Sequence, residues 1–489
     1  MSAVSLAVIV DALRHAGLLD DVRGELPRQI STLSDDSRAM GPGALFLAVR
    51  GAERDGHDYL DAAAAAGAVA ALVADPSRTT LPALVVTDTR RAAAVAAAAF
   101  YGLPARQLRL VGVTGTNGKT TTVGMLRHLL DEPAARAASI GTLGVLVGSE
   151  GDEMDGGGGL TTPGPVELQR VLRALYDRGV RTVAMETSSH ALHQRRVEGL
   201  RFDAAVFTNL TRDHLDYHVT MEAYLSAKAL LLPLLADGGA AVVNADDPAW
   251  SSLPAAPRTV RFGLEHDADV KAVDVHFSPR GSEWTLDVRG DRHAVVFPLI
   301  GDFNIANALA AAAAAWSLGV PVANVAARLS TMPQVPGRLE ILHEGPTVLR
   351  DYAHTPDALE RALDAVRPFT AGTLTVVFGC GGDRDRGKRP AMGRIAEAGA
   401  DRVIVTSDNP RTEDPQRILD DIEAGMRQGR HERIEDRRDA IARAIAGAKA
   451  GDVILLAGKG HETYQIRGTV KYPFDERAIV REITAEGVT

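Results

Sequence analysis

The most informative stretch of this chain is a glycine-rich segment, residues 114–122, in which a lysine and three threonines follow the second glycine. Such a loop directs several backbone N–H groups at one small region, and at the start of a helix it binds phosphate. Lys119 adds a point charge for phosphate groups, and the Thr120 hydroxyl can hold Mg²⁺. We therefore expect the chain to use a nucleoside triphosphate. The loop residues expected to bind it are Gly115, Thr116, Asn117, Gly118, Lys119, Thr120 and Thr121.

The segments on either side of the loop predict a strand before it and a helix after it. The apolar run 108–113 is typical of a buried strand, and residues 125–130 have a helical pattern. The loop departs from the general G-x-x-x-x-G-K-[ST] spacing, because Val113 stands where the first glycine belongs. An ordinary glycine turn with a surface lysine is the simpler alternative. A Gly-Lys-Thr sequence between a strand and a helix nevertheless favours phosphate binding.

The composition is ordinary for a globular enzyme, with 45% hydrophobic and 24% charged residues. The net charge of −9 argues against a nucleic-acid partner. The longest apolar run, 62–74, is too short to span a bilayer, so we expect no membrane insertion. Cys380 is the only cysteine, which fits a reducing cytosol, and we expect a cytoplasmic protein.

The length of 489 residues predicts about three domains, which we place at 1–106, 107–337 and 338–489. We interpret the alanine-rich run 62–74 in the first domain as a helix. Apolar runs alternate with helical patterns, which predicts parallel sheets covered by helices. The fold class is therefore α/β, with a small N-terminal α/β domain, a central P-loop ATPase-like domain with a mostly parallel sheet, and a C-terminal Rossmann-like domain. The strand-like runs are 44–49, 83–86, 182–185, 204–207, 240–243, 373–378, 402–406 and 452–456.

Polar residues follow the strand-like runs of the second domain. They are Glu186, Thr208 with Asn209, and the segment 244–247. In open α/β sheets, ligands bind beyond the carboxyl ends of the strands. We therefore expect these side chains to meet whatever the phosphate loop holds.

Several separated motifs together resemble the Mur ligases, the ATP-dependent amino-acid ligases of peptidoglycan precursor synthesis. The resemblance covers essentially the whole chain, and it is strongest to the members that add the third residue of the peptide. One short motif can arise by chance, whereas all of these motifs in the order found in the family indicate homology. The motifs are Asp36-Ser37-Arg38, the phosphate loop, Thr161-Thr162-Pro163, 186–192, 208–218, 304–307, 351–356, 379–389, 408–411 and 458–462.

The resemblance implies a reaction in which a carboxylate takes the γ-phosphoryl group of ATP and an amine then displaces phosphate. Both steps gather negative charge, so cations must cluster at the reacting groups. Lys119 and the loop amides would hold the phosphates. Thr120 and Glu186 would hold one Mg²⁺. His214 would help to bind a second, although Mg²⁺ prefers oxygen ligands.

Lys228 takes its role from the resemblance alone. From the residues around it, Lys228 looks like a solvated lysine on a helix. The family carries a carbamylated lysine (N6-carboxylysine) at the matching place, and its carbamate oxygens would serve the second Mg²⁺. Carbamylation requires an uncharged amine, and therefore a lysine whose pKa is lowered by its surroundings.

The resemblance also assigns residues to the two nucleotides. Asn304 would reach the base of ATP, Arg338 would neutralise phosphate, and Asp351 would accept hydrogen bonds from the ribose. The UDP-sugar substrate would lie between the first two domains, with its UDP end at Ser37 and Arg38. The other residues implied to bind that substrate are Thr161, Thr162, Ser188, Gln194 and Arg196.

The motif Asp408-Asn409-Pro410-Arg411 indicates which amino acid is added. Within the family it resembles the enzymes that use meso-2,6-diaminopimelate, and lysine-adding relatives lack the arginine. Diaminopimelate differs from lysine by a carboxylate at its far end, which Arg411 can hold by a bidentate pair. Glu462 would receive the ammonium group of that end. The full set implied to bind the amino acid is Arg384, Asp408, Asn409, Arg411, Gly458 and Glu462.

The implied partners are UDP-N-acetylmuramoyl-dipeptide, meso-diaminopimelate and ATP with Mg²⁺, and we expect a monomer. Four alternatives stay open: the same ligase with L-lysine or another diamino acid, a related ligase such as a folylpolyglutamate synthetase, a kinase, and an ATP-binding regulator without activity. The first domain and the motif at 408–411 argue against a folylpolyglutamate synthetase. The joint presence of Lys119, Glu186, His214 and Lys228 argues against an inactive regulator.

Overall fold

The computed structural model describes residues 3–51, 54–157, 159–278 and 280–486. The chain divides into two compact units. The first unit comprises Met1–Val273, Leu286–His293 and Ala306–Leu329, and the second comprises Asp274–Thr285, Ala294–Ile305 and Ser330–Thr489. Among the described residues, no helix combines the length and the apolar character that crossing a membrane requires.

The N-terminal part of the first unit is built on a small sheet. Its elements are β1 (Val4–Ser5), α1 (Leu6–His15), β2 (Leu19–Arg23), β3 (Gln29–Ile30), β4 (Thr32–Ser34), β5 (Ala44–Leu47), α2 (Leu60–Ala65), β6 (Ala68–Val73), β7 (Ala83–Val86) and α3 (Thr89–Phe100). The sheet has the order β2-β7-β6-β5-β4, in which only β2 runs antiparallel to its neighbour. All four residues of β5 are buried, which explains why this strand reads as a continuous apolar run.

The rest of the first unit carries the phosphate loop. Its elements begin with β8 (Arg109–Thr114), α4 (Lys119–Leu130), β9 (Arg136–Gly141), β10 (Gly144–Val147), β11 (Asp152–Met154), α5 (Pro165–Asp177), β12 (Val180–Glu186), α6 (Ser189–His193), β13 (Phe202–Phe207), α7 (Leu215–His218), α8 (Met221–Ala229), β14 (Leu235–Asn244) and β15 (Thr259–Gly263). They continue with β16 (Val270–Ser278), β17 (Gly281–Val288), β18 (Asp291–Phe297), α9 (Asp302–Ser317) and α10 (Val322–Leu329), of which all but α10 have residues in both units.

The central sheet places β8 in its middle. The order from its edge is β11-β10-β9-β12-β8-β13-β14-β15-β16, parallel from β9 onward. Val113 pairs with Glu186 of β12, and Thr114 pairs with Phe207 of β13. The carboxyl ends of these three strands therefore meet at one edge of the sheet, which is where α/β proteins bind ligands.

The second unit contains another mostly parallel sheet. Its elements are β19 (Glu340–His343), β20 (Thr347–Asp351), α11 (Pro356–Val366), β21 (Leu374–Phe378), α12 (Arg389–Gly399), β22 (Arg402–Val405), α13 (Pro415–Glu423), β23 (Glu432–Arg433), α14 (Arg437–Ile445), β24 (Val453–Ala457), β25 (Tyr464–Arg467), β26 (Val470–Pro473) and α15 (Glu476–Glu486). The order is β19-β20-β24-β21-β22-β23, with only β19 antiparallel to its neighbour. Strands β25 and β26 form a separate hairpin.

The alanine-rich run 62–74 is not one helix, so that interpretation was wrong. Helix α2 ends at Ala65, and the chain returns as β6 from Ala68. Gly67 separates them with a φ of 105°, a conformation that ends the helix and that other residues rarely adopt. Alanine fits both segments, because β6 is packed on both faces by small and apolar neighbours. The composition of the run therefore could not show where helix gives way to strand.

Replacing Gly67 by alanine should destabilise the N-terminal part of the chain. The new methyl group would lie 2.9 Å from both the carbonyl carbon of Gly41 and the nitrogen of Pro42. Together with the positive φ, this should lower the free energy of unfolding by about 1–3 kcal/mol. The measurement is denaturant unfolding of the Gly67→Ala variant.

A matched control is Gly17→Ala, since Gly17 also has a positive φ (65°) but no atom within 4 Å of the added methyl group. We expect a smaller loss there, of about 1 kcal/mol. Equal losses in the two variants would contradict the role assigned to close packing at Gly67.

Candidate active site

The phosphate loop turns tightly between β8 and α4. Gly115 (φ 147°) and Gly118 (φ 84°) have backbone conformations that favour glycine. A methyl group at Gly115 would overlap the hydroxyl of Thr208, and one at Gly118 would overlap the side-chain oxygen of Asn307. The glycines thus allow a close approach, and α4 begins at Lys119 with its N-terminus at the loop, where anions bind favourably.

The segment after β13 holds the loop in place. Thr208 Oγ1 donates to the Asn117 carbonyl at 2.7 Å, and Asn209 Oδ1 accepts from the Asn117 N–H at 2.8 Å. The Thr116 N–H donates to the Asn209 carbonyl at 2.7 Å. Thr208 and Asn209, which we expected to meet the ligand, therefore first fix the shape of the loop that would bind it.

Glu186 stands at the end of β12, buried beside the loop. Its Oε1 accepts from Thr120 Oγ1 at 3.0 Å and from the Thr142 N–H at 2.8 Å. Its Oε2 accepts from the Thr142 hydroxyl at 3.3 Å. A methyl group at position 141 would overlap this carboxylate. The end of β9 therefore leaves room for the Glu186 side chain because residue 141 is glycine. A hydroxyl of α4 and a carboxylate of β12 are thereby held in contact.

This pair of oxygen donors fits Mg²⁺. The ion prefers oxygen ligands, keeps several waters, and is usually bound through one or two carboxylates together with substrate phosphates. Thr120 and Glu186 supply one hydroxyl and one carboxylate. Across residues 3–51, 54–157, 159–278 and 280–486, no group of three or more His, Cys, Asp or Glu side chains is placed to hold a metal ion. One hydroxyl and one carboxylate suit an ion that is bound together with substrate phosphates.

Lys228 is buried, with 1% of its surface exposed, and not solvated as its sequence context suggested. Its Nζ donates to the Gly115 carbonyl at 2.6 Å and lies 4.3 Å from the centre of the Tyr224 ring. Lys119 Nζ donates to the same Gly115 carbonyl at 3.0 Å. Burial, and secondarily the charge of Lys119, lower the pKa of Lys228 well below its ordinary value. The amine is therefore favoured in its neutral form, the form that can react with CO₂.

His214 lies next to these lysines. It precedes α7 in a left-handed conformation (φ 53°), and its ring centre is 6.1 Å from that of Tyr224. Burial lowers the pKa of His214, as does the charge of Lys119, while Asp213 opposes the shift. The imidazole is thus favoured as neutral, which is the form that can act as a ligand.

Thr162 and Ser188 join the predicted substrate residues to Glu186. Thr162 Oγ1 donates to the Glu186 carbonyl at 2.8 Å and accepts from the Ser188 N–H at 3.0 Å. Thr161 Oγ1 is 3.4 Å from the hydroxyl of Thr142, which itself binds Glu186. The loop before α5 is therefore attached to the backbone of Glu186 through Thr162, and it reaches the Glu186 carboxylate only through the Thr142 hydroxyl.

Gln194 and Arg196 extend this group. Arg196 Nη1 donates to the Thr162 carbonyl at 3.0 Å. Its Nε and Nη2 donate to Gln194 Oε1 at 3.0 Å and 2.6 Å. The predicted substrate residues Thr161, Thr162, Ser188, Gln194 and Arg196 are therefore brought together by the fold, although they come from two separate segments of the chain.

Ser37 and Arg38 lie in a short 3₁₀ helix, Ser37–Ala39, in the N-terminal part of the first unit. The Arg38 side chain is 89% exposed. Its Nε and Nη2 donate to the two carboxylate oxygens of Asp36 at 2.9 Å and 2.8 Å. The guanidinium is therefore oriented by its neighbour while its outer edge faces solvent.

Three predicted nucleotide contacts belong to the second unit. Asn304 is fully buried, and its Nδ2 donates to a backbone carbonyl at 2.7 Å. Arg338 lies 5.1 Å from the centre of the Tyr352 ring. Asp351 ends β20; burial raises the pKa of Asp351 to about 6, and the charge of Arg338 opposes this shift. Their contact with the nucleotide stays a prediction.

Arg411 is fixed at both its backbone and its side chain. Its φ is 52°, its N–H donates to the Ile466 carbonyl at 3.1 Å, and its carbonyl accepts from the Gly468 N–H at 2.7 Å. These bonds tie it to the hairpin of β25 and β26. The guanidinium donates to the Gly382 carbonyl at 2.8 Å, which leaves further N–H groups for a carboxylate.

Arg384, the other arginine predicted to bind the amino acid, is exposed on the loop after β21.

The other predicted amino-acid contacts form one network. Asn409 Nδ2 donates to Glu462 Oε2 at 2.8 Å. Lys459, to which we assigned no role from the sequence, donates from Nζ to Asn409 Oδ1 at 3.2 Å and to Glu462 Oε2 at 3.1 Å. Asp408 Oδ1 is 3.8 Å from the same Nζ. A methyl group at Gly458 would lie 2.7 Å from Asp408 Oδ2, so a larger residue there would displace the carboxylate.

Family models match successive parts of the chain. The Mur ligase family catalytic domain matches residues 29–108, the Mur ligase middle domain matches 113–315, and the Mur ligase glutamate ligase domain matches 337–460. A UDP-N-acetylmuramoyl-L-alanyl-D-glutamate–2,6-diaminopimelate ligase of Geobacillus thermodenitrificans is 45% identical over 477 residues, which cover 95% of this chain and 96% of the relative. The chain belongs to the Mur ligase family.

Other Mur ligases agree with this assignment. A relative with the same description from Gloeobacter violaceus is 46% identical over 480 residues, covering 96% of this chain and 97% of its own. A solved structure of a UDP-N-acetylmuramoyl-L-alanyl-D-glutamate–2,6-diaminopimelate ligase is 33% identical, matches with a TM-score of 0.70 and covers 100% of both chains. The resemblance inferred from the motifs and the predicted three-domain α/β fold class are confirmed.

Sequence reasoning missed three polar residues of the site. Thr142 follows β9 and binds both oxygens of Glu186. Asp35 precedes the Asp36-Ser37-Arg38 motif; burial raises the pKa of Asp35, and the charge of Arg196 opposes this shift. Lys459 is the third. Thr142 and Asp35 lie outside the motifs named above, whereas Lys459 lies within the motif at 458–462 and no chemical role was assigned to it there.

Lys228 should carry a carbamate in solution. A buried neutral amine beside the cationic Lys119 should take up CO₂, because the carbamate anion gains a favourable charge interaction. Wild-type protein in ¹³C-bicarbonate should give a carbamate carbonyl signal by NMR that is missing from Lys228→Met. The turnover number of that variant should fall by about 10²-fold or more.

The matched control is Lys449→Met, since Lys449 is an exposed lysine of the second unit. It should keep both the signal and the turnover. A carbamate signal that persists in Lys228→Met would place the modification elsewhere and contradict this assignment.

Proposed function

We propose that this protein adds meso-2,6-diaminopimelate to the γ-carboxylate of the D-glutamate in UDP-N-acetylmuramoyl-L-alanyl-D-glutamate, with conversion of ATP to ADP and phosphate. The observation that carries the proposal is the identity of 45% over 95% of the chain to a ligase whose name states this reaction. The arrangement of charged groups around the phosphate loop and around Arg411 supports it. The reaction is a step in making the peptidoglycan precursor.

The phosphate loop would hold the triphosphate. In the first step, an oxygen of the substrate carboxylate attacks the γ-phosphorus, the bond to the bridging oxygen breaks, and ADP leaves. Lys119 can turn its ammonium from the carbonyls of Gly115 and Thr116 toward phosphate oxygens. The N-terminus of α4 adds a second favourable field. Their contribution is to stabilise charge that builds up as the acyl phosphate forms.

Thr120 and Glu186 are the residues that would hold the first Mg²⁺. Bound there, the ion would screen the negative charge of the phosphate oxygens. Thr142 keeps the Glu186 carboxylate in position by donating to both of its oxygens. His214 and a carbamylated Lys228 would provide ligands for a second ion, since a carbamate converts a cation into an oxygen donor.

In the second step, the amine of the amino acid attacks the acyl carbon. A tetrahedral intermediate forms, the bond from the acyl carbon to the phosphate oxygen breaks, phosphate leaves with the bonding electrons, and the amine loses a proton to solvent. The substrate must be held so that only its γ-carboxylate reacts. We assign this positioning to Thr161, Thr162, Ser188, Gln194 and Arg196, with Ser37 and Arg38 at the UDP end.

The far end of diaminopimelate would be recognised in the second unit. Arg411 would bind its distal carboxylate, and Glu462 would bind its distal ammonium group with help from the Gly458 carbonyl. Arg384, exposed on the loop after β21, offers a further charge. L-lysine lacks the carboxylate, so it would leave Arg411 without its partner. A site built on such a pair rejects the analogue that lacks it.

The proposal also assigns a role to each domain. Residues 1–106 would bind the UDP end of the substrate, residues 107–337 would bind ATP, and residues 338–489 would bind the amino acid. Because its substrates are ATP and a UDP-sugar, we place the protein in the cytoplasm, and we propose that it acts as a monomer.

The direct test is phosphate release with ATP, Mg²⁺ and UDP-N-acetylmuramoyl-L-alanyl-D-glutamate, with meso-diaminopimelate or L-lysine added in parallel. We expect release together with a tripeptide product, detected by mass, with diaminopimelate only. Equal turnover with lysine would reject the assigned specificity and leave the ligase reaction. No turnover with either amino acid would contradict the proposed function.

The Arg411→Gln variant should bind diaminopimelate more weakly while its binding of ATP is unchanged. Removing the charge that pairs with the distal carboxylate should raise the KM for diaminopimelate by about 10²-fold or more, while the KM for ATP stays near its wild-type value. Arg417→Gln is the matched control, because Arg417 is an exposed arginine on α13. A variant that keeps the wild-type KM for diaminopimelate would rule out Arg411 as its carboxylate partner.

A further inference from the structure

Lys459 is a buried cation in the middle of the proposed amino-acid site. None of its surface is exposed. Its Nζ contacts Asn409 Oδ1 at 3.2 Å and Glu462 Oε2 at 3.1 Å, and Asp408 Oδ1 lies 3.8 Å away. A buried ammonium is costly unless charged and polar partners surround it, and here two carboxylates and an amide do so.

The contacts of Lys459 also set the direction of the neighbouring groups. Asn409 Oδ1 accepts from Lys459 and from the Ile466 N–H at 2.9 Å, so its Nδ2 is turned toward Glu462 Oε2. Glu462 Oε2 thereby receives two donors. Its Oε1 has no hydrogen-bond partner among the described residues, which leaves that oxygen for a ligand.

The formal charges of Lys459 and of the charged residues beside it cancel. Asp408 and Glu462 contribute two negative charges, and Lys459 contributes one positive charge between them. Arg411 adds a further positive charge on the loop that carries Asp408. With Lys459 in place, the pocket does not have the strong negative potential that the two carboxylates alone would create.

We propose that Lys459 determines specificity, by balancing Asp408 and Glu462 so that the pocket prefers a zwitterionic end over a simple ammonium group. This inference rests on the proposed function, because it concerns the distal end of the amino acid. Diaminopimelate ends in an ammonium and a carboxylate, with no net charge. L-lysine ends in an ammonium alone, so a more negative pocket favours lysine more than it favours diaminopimelate.

A merely structural lysine and a charge-balancing lysine predict different kinetics for Lys459→Met. Loss of packing or of hydrogen bonds would raise the KM for both amino acids. Loss of charge balance should lower the KM for L-lysine, while the KM for diaminopimelate rises or stays the same. We expect the ratio of kcat/KM for diaminopimelate to that for lysine to fall by about tenfold or more.

The experiment measures KM and kcat/KM for diaminopimelate and for L-lysine in wild type, Lys459→Met, Lys459→Arg and Lys449→Met. The KM for ATP is measured as a check on the first unit. Lys459→Arg keeps the charge and should keep most of the selectivity. Lys449→Met removes an exposed lysine of the same unit and should behave as wild type. If Lys459→Met does not fold, Lys459→Gln removes the charge while keeping a donor, and it is expected to show the same loss of selectivity.

Two results would overturn the inference. The first is an unchanged selectivity ratio in the folded neutral variant, and the second is a KM that rises in parallel for both amino acids. Wild-type protein that adds neither amino acid would instead reject the proposed function, and with it this inference. The wild-type arm therefore separates the two failures. Where turnover is too low to measure, calorimetric binding of diaminopimelate and L-lysine gives the same comparison.

Discussion

Two lysine side chains donate to one carbonyl oxygen, and the candidate active site depends on how the repulsion between their ammonium groups is avoided. Lys119 and Lys228 both donate to the Gly115 carbonyl. Two ammonium groups so close would repel each other, and one of them is buried. The conflict is relieved because burial and the charge of Lys119 lower the pKa of Lys228. The site thus keeps one permanent cation for phosphate and one neutral amine that can become an anion.

The second unit also buries a lysine, but there the lysine is stabilised by neighbouring carboxylates. Lys459 is buried as completely as Lys228, but carboxylates accompany it, whereas Lys228 faces a carbonyl and an aromatic ring. Contact with carboxylates favours a charged amine, whereas burial next to the charge of Lys119 favours a neutral one. The same residue type can therefore serve carbamate chemistry in one unit and charge balance in the other, and the difference lies entirely in its partners.

The sequence predicted those parts of the site that lie within a single segment. The strand–loop–helix arrangement of the phosphate loop and the place of Glu186 at a strand end follow from local pattern, whereas the meaning of the motif at 408–411 comes from the family resemblance. The burial of Lys228 and Lys459 was harder to predict, because both are covered by elements that are distant in sequence. A lysine on a short helix or turn is normally expected to be solvated. The run 62–74 shows the same limit, since alanine suits both a packed helix and a packed strand.

The pKa of Lys228 tests the central claim most directly. It can be followed by NMR of ¹³C-labelled lysine in CO₂-free buffer, with the Lys228→Met spectrum identifying the signal. A buried amine next to Lys119 should titrate well below the ordinary lysine value of about 10.4 while the protein remains folded. A titration near that ordinary value would contradict the account, because Lys228 would then be a cation at neutral pH and could not readily become the proposed carbamate.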